Sequence, residues 1–140
     1  QIFSKIMIAV DGSETSLRAA KYGLSIAKKY NSSLIVVHVI ISDIGLFGPS
    51  LPTHIAALKE DAEEYLENMK KEAETENIQI VTQIIASTSI VNGLVEYASK
   101  EHIDLVVLGT KGKSSIKKLL LGSVASGMVT HSHCPVLVVR

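Results

Sequence analysis

Continuous β-branched apolar runs alternate along this chain with stretches in which apolar residues recur at helical spacing. Lys5 to Val10, Leu34 to Ile41 and Leu105 to Leu108 are apolar at nearly every position. That is the pattern of strands covered on both faces of a parallel sheet, not of strands with one wet face. Ile78 to Ala86 alternates more, interrupted by Gln79, Thr82 and Gln83, and Val136 to Val139 reads as a short closing strand. It follows Pro135, a residue with no N–H to donate and therefore suited to a strand entrance. Between these runs, Ser13 is placed to cap a helix carrying Leu17, Ala20, Leu24 and Ala27 on one face. A longer helix is predicted from Thr53 to Thr75, with Ile55, Leu58, Ala62, Leu66, Met69 and Ala73 inward. Its other face carries Glu60, Asp61, Glu63, Glu64, Glu67, Lys70 and Lys71, and reads as a solvated surface in preference to an acidic docking patch. Ser89 caps a third helix through Ile90, Leu94 and Ala98, and Gly122-Ser123 opens a fourth with Val124 and Met128.

The order βαβ-loop-αβαβαβ implies an α/β domain with right-handed crossovers and helices on both faces of the sheet. The connection from Ser42 to Pro52, with Gly45, Gly48, Pro49 and Pro52, reads either as a lid or as a tolerated surface insertion.

Composition narrows the function classes. The 140 residues fit one domain, 1–140, with a sizeable core. A formal net charge of zero argues against partners held mainly by charge, such as duplex nucleic acid or an acidic membrane. Two Phe and no Trp leave little for stacking single-stranded bases. No apolar run reaches the roughly 18 residues of a membrane span. A single Cys134 fits a reducing compartment, and Gln1-Ile2-Phe3-Ser4-Lys5 lacks the profile of a secretion signal, so the expected location is the cytoplasm.

Open parallel sheets bind ligands beyond the carboxyl ends of their strands, where the strand order reverses. Two strand ends matter here: Ala9-Val10-Asp11-Gly12 and Leu108-Gly109-Thr110-Lys111-Gly112. In the second, two glycines separated by two residues let the main chain turn sharply and present N–H groups, while Lys111 and Lys113 add positive charge. Gly122-Ser123 then opens a helix whose first N–H groups and dipole favour an anion. Together these make a phosphate cradle. A P-loop is excluded: Gly112-Lys113-Ser114 supplies its ending, but its first glycine would fall at Val107, inside a strand. Neither the dinucleotide Gly-x-Gly-x-x-Gly fingerprint nor a Gly-x-Ser-x-Gly elbow is present.

The arrangement resembles the universal stress proteins, whose nucleotide-binding members carry Gly, two residues, Gly, nine residues, Gly and then Ser or Thr. Gly109, Gly112, Gly122 and Ser123 match that spacing, and the likeness extends from Lys5-Ile6-Met7-Ile8-Ala9-Val10-Asp11-Gly12-Ser13 to Pro135-Val136-Leu137-Val138-Val139. The resemblance implies an open five-stranded parallel sheet, Rossmann-like, ordered 3-2-1-4-5. It implies that Ala9, Val10 and Asp11 lie near the base and ribose, and that Val39 meets the adenine edge with its backbone. Leu108, Gly109, Thr110 and Gly112 would line the ribose and phosphates, with Lys113, Gly122, Ser123 and Val124 at the phosphate tail. Mg²⁺ would ride on the phosphates of ATP, not in a protein cage. The chain departs from the family pattern at Ala9, where Pro is frequent, and at Ala86-Ser87-Thr88-Ser89, where Gly is usual.

The resemblance also implies a homodimer through Val136 to Val139, and ATP binding with slow or partner-dependent hydrolysis. The expected role is a nucleotide-dependent switch read by a protein partner. Kept beside it are an interaction module of the same fold without nucleotide, and a binder of another adenine nucleotide such as AMP or a cyclic nucleotide. An ATP-dependent substrate-activating enzyme is disfavoured, because Asp11-Gly12-Ser13-Glu14 lacks the Ser-Gly-Gly-rich loop of such folds. No catalytic set is assigned. His131-Ser132-His133-Cys134 suggests metal ligands, but neighbouring side chains seldom converge on one ion; the preferred reading is a helix end followed by a buried thiol. His38, inside an apolar strand, reads as a hydrogen-bonded core residue.

Overall fold

The computed structural model describes residues 2–42, 52–111 and 121–140, with Pro52 and Thr53 described by their backbone. Among the described residues nine elements follow in order: β1 (Lys5–Ala9), α1 (Glu14–Tyr30), β2 (Ser33–Ile41), α2 (Pro52–Thr75), β3 (Ile80–Ser87), α3 (Ile90–Lys100), β4 (Leu105–Gly109), α4 (Ser123–His131) and β5 (Val136–Val139). The strands form one parallel sheet ordered β3-β2-β1-β4-β5, as expected. Met7 pairs with Ile35 on one side and Val106 on the other, so β1 and β4 are central neighbours whose chains leave in opposite directions.

Side chains alternate across the pleat and divide the interior into two layers. Ile6, Ile8, Val10, Val36 and Val107 pack with Ala20 and Leu24 of α1 and Leu66 and Met69 of α2. Met7, Ala9, Ile35, Val37 and Val106 pack with Leu94 and Ala98 of α3 and Ala125 and Met128 of α4. Each wholly buried aliphatic side chain contributes about 1.5–3 kcal/mol, so the strands are held mainly by what covers them. Among the described residues, no helix is long and apolar enough to cross a membrane.

Two expected inward residues turn outward. Leu17 is 37% exposed and Leu58 is 40% exposed. The buried stripe of α1 runs through Ser16, Ala19, Ala20, Gly23, Leu24 and Ala27, a row of mostly small residues. It lies so close to the sheet that a Cβ at Gly23 would fall 2.5 Å from Ile8 Cδ1. Helical phase is set here by closeness of approach, and the larger Leu17 is left at the margin.

Three helix-to-strand returns share one construction. Asn31, Asn77 and His102 adopt left-handed conformations, with φ of 54°, 59° and 54°. Ser32, Ile78 and Ile103 then donate their N–H groups back to the carbonyls of Ala27, Ala73 and Ala98 at 2.9, 3.0 and 2.9 Å. This is the six-residue helix stop described by Schellman pairing. It also explains why β3 begins at Ile80 and not at Ile78, whose N–H is committed to the helix it has just left.

Candidate functional site

The end of β1 is built by side chains. Val10 N–H still donates to the Val37 carbonyl at 2.9 Å, extending the ladder by one bond beyond Ala9. The next peptide leaves the sheet. The Asp11 N–H meets Ser16 Oγ at 3.3 Å, and Ser16 Oγ donates to the Ser13 carbonyl at 2.9 Å. Asp11 Oδ1 accepts the Ser13 N–H at 2.9 Å across Gly12, whose φ of 83° favours a residue without a Cβ. Ser13 Oγ accepts from Ser16 N–H at 3.2 Å, capping α1 as the sequence predicted. Ser16 is the buried polar residue of this turn, 4% exposed.

The end of β4 is built by main chain. Thr110 N–H donates to the Val139 carbonyl at 2.8 Å, and the Thr110 carbonyl accepts from Gly122 N–H at 2.6 Å. A Cβ at Gly109 would lie 3.0 Å from the Thr15 carbonyl oxygen, so this glycine permits β4 to approach the first turn of α1. Gly122 is the N-cap of α4 and makes no side-chain cap bond. The first bond of α4 runs from Ser126 N–H to the Gly122 carbonyl at 3.0 Å. The N–H groups of Ser123, Val124 and Ala125 therefore have no partner within the helix and carry the positive end of its dipole.

Between these two strand ends lies a cavity of about 470 Å³, within the size range of small-molecule sites. Ala9, Val10, Asp11, Val39, Leu108, Gly109, Thr110, Gly122, Ser123 and Val124 all line it. Of the residues singled out from sequence, Gly112 and Lys113 lie outside the described residues, as does most of the Ser42 to Pro52 connection. Lys111, expected to add positive charge to the cradle, lines the cavity too, and the lining also includes Ser16, Val37, Ile90, Leu94 and Ala125, which were not among the residues singled out as a ligand site. Some of these were within reach of simple spacing. Val37 lies two before Val39 on the same strand face, and Ile90 and Leu94 are one helical turn apart. The cavity thus has an apolar slot, made by Val37, Val39, Ile90, Leu94 and Leu108, and a polar rim with Asp11 on the β1 side and Lys111, Ser123 and the α4 start on the other.

The remaining candidates sit elsewhere. His131 ends α4, His133 is exposed, and among the described residues no three His, Cys, Asp or Glu side chains are grouped to hold a metal. Cys134 is half-buried, not buried; its N–H donates to Ser132 Oγ at 3.3 Å because the turn into β5 brings the serine hydroxyl back over it. His38 is half-buried and hydrogen-bonded, on the α1/α2 side of the sheet. β5 forms one edge of the sheet.

Comparison with known proteins agrees with this architecture. Universal stress protein MJ0531 of Methanocaldococcus jannaschii is 38% identical over 145 residues, covering 99% of this chain and 83% of the relative. YxiE of Bacillus subtilis, also a universal stress protein, is 30% identical and is covered along its full length. Among solved structures, protein MJ0577 is 28% identical with a TM-score of 0.81, covering 99% of this chain and 96% of that one. A universal stress protein in complex with cAMP is 25% identical with a TM-score of 0.74, covering 100% and 99%. The profile described as "Universal stress protein family" matches residues 3–140, and with the sheet order and the placement of the glycine-bearing strand ends this chain belongs to that family.

Proposed function

We propose that the cavity binds an adenine nucleotide, ATP with Mg²⁺ in the first instance, and that occupancy acts as a switch with slow or no intrinsic hydrolysis. The observation that carries this reading is the pairing of an apolar slot with an uncapped helix start: Gly122 offers no side-chain cap, and Ser123, Val124 and Ala125, whose N–H groups lack a helical partner, all line the cavity at the dipole's positive end. A purine suits the slot, with Val39 at its edge and Asp11 placed toward the ribose. The phosphates suit Ser123, Val124, Thr110 and Lys111. Mg²⁺ fits this donor set only through the phosphates, since the one acid among the described lining residues, Asp11, already accepts a main-chain N–H at the opposite strand end. For the same reason rapid turnover is not expected: hydrolysis needs an oriented water and a group to take its proton near the terminal phosphate.

A second adenine nucleotide has specific support, because a relative of this fold at 25% identity is a complex with cAMP. The cradle does not by itself separate the two ligands. We further propose a cytoplasmic homodimer through β5, whose outer edge is an apolar strand that pairing would cover; the dimer's response to occupancy is what a protein partner would read. The direct test is calorimetric titration of ATP with Mg²⁺, AMP and cAMP, together with identification of nucleotide in acid extracts. Saturating ATP at a hundred times its Kd should stabilise the protein by about 2.7 kcal/mol, raising Tm by several degrees. No heat and no shift with any of the three ligands would remove the nucleotide reading and leave the interaction module.

A further inference from the structure

The Val10–Asp11 peptide is anchored at both of its ends by side chains from different elements. Its N–H meets Ser16 Oγ of α1 at 3.3 Å, and its carbonyl lies 3.1 Å from His38 Nδ1 of β2. A carbonyl oxygen only accepts, so this contact requires the proton on Nδ1. Tyr65, on α2, brings its hydroxyl onto the same nitrogen, and its ring stands edge-on to the imidazole with centroids 5.6 Å apart. The hydroxyl therefore accepts a share of the same proton. Burial and the negative charge of Asp11 both push the Tyr65 phenol above the ordinary tyrosine range, which keeps it a neutral hydroxyl. These contacts are made from the α1/α2 side of the sheet, opposite the slot, and His38 and Tyr65 do not line the cavity.

We infer that His38, held by Tyr65, is a positioning residue for the ligand: it fixes the plane of the Val10–Asp11 peptide and so the direction in which Asp11 enters the cavity. This deepens the nucleotide reading and rests on it for the ligand, while the clamp itself is a property of the unliganded chain. The ladder ends at the Val10 N–H, so without His38 the Val10 carbonyl loses the contact that holds its side of the peptide, and the peptide is freer to rotate.

Three variants test it. His38→Asn keeps a donor, because asparagine Nδ2 occupies the place of histidine Nδ1; His38→Leu removes it; Tyr65→Phe removes only the outer support. His38→Leu should weaken adenosine and ATP binding by the same factor, about tenfold, since it misdirects the nucleoside end that both ligands share. His38→Asn should restore most of that loss and Tyr65→Phe should lie between. A general loosening of the fold would not be rescued by asparagine. Unequal losses for adenosine and ATP, or no loss in His38→Leu, would overturn the inference while wild-type binding leaves the functional reading standing. The clamp has a ligand-free readout as well. In wild type the imidazole ¹⁵N shifts should report the proton on Nδ1, and amide exchange at Asp11 should rise about tenfold in His38→Leu with Ile8 and Val107 unchanged. A proton on Nε2 alone, or unaltered Asp11 exchange, overturns the inference even if wild type binds no nucleotide, an outcome that would separately end the functional reading.

Discussion

The two strand ends that face each other across the cavity are secured by different means. Beyond β1, the turn is shaped chiefly by side chains: Asp11, Ser13 and His38 each contribute one bond and Ser16 two. Beyond β4, Thr110 is fixed through its own N–H and carbonyl, to Val139 and Gly122, and side chains matter there chiefly by being absent. A side-chain lip can be edited one contact at a time and its effects are graded. A main-chain lip tolerates many replacements and fails abruptly when a side chain enters the space a glycine leaves open. The contrast also suits the chemistry each end would perform: a directed carboxylate selects the sugar and base, whereas rows of amides accept any phosphate.

The largest expected effect comes from putting a side chain into the main-chain lip. Gly122→Asp supplies α4 with a good N-cap, so the unliganded protein should hold its Tm or gain a little; the same carboxylate occupies the anion position and should weaken ATP by about 30-fold, near 2 kcal/mol, in a titration. Opposite signs for stability and binding would mark this lip as the phosphate end. If both fall together, the assignment of the two lips is wrong. Ser16→Ala should cost about 1–2 kcal/mol in urea denaturation, because the buried Ser16 hydroxyl and its bonds to the Asp11 N–H and the Ser13 carbonyl are lost together. Tyr65→Phe sharpens the β1 side through pH. With its folded pKa raised, Tyr65 contributes stability that is complete below about pH 10 and declines as pH rises above it, where the unfolded chain ionises first. The phenylalanine variant should lose stability less steeply than wild type in that range, measured by denaturant midpoints. The smallest effect belongs to Lys111→Gln, a half-exposed charge on the rim: ATP should weaken only about threefold, and less still at high salt.

Most of the architecture is written in local pattern. Uninterrupted apolar runs, serines ahead of helices and glycines after strands are short-range signals, and β5, the caps at Ser13 and Ser89 and the opening of α4 at Gly122 follow from them. In α1, Ala20, Leu24 and Ala27 were read inward correctly, but Leu17 was not, and Ser16, Ala19 and Gly23 were missed because small residues carry little hydrophobic weight although they make a close approach to the sheet. In the site, residues attached to the glycine spacing were legible, Lys111 among them, whereas Ser16 looks like an ordinary polar position until the turn after β1 brings its hydroxyl onto the Asp11 N–H. The partnership of His38 with Tyr65 was invisible for a different reason. It joins residues 27 apart, on a strand and a helix, and only the sheet's geometry makes them meet.

The three left-handed helix stops lie at the opposite end of the sheet from the cavity, and each is filled by asparagine or histidine where glycine would be relaxed. Histidine is the poorest of the three occupants, since its side chain crowds the backbone in that conformation without the compact amide that eases asparagine. The chain therefore keeps a reserve of rigidity remote from the cavity. His102→Gly should raise stability by up to about 1 kcal/mol, and doing so at a distance offers a route to a hardier scaffold whose binding surface is left as it was.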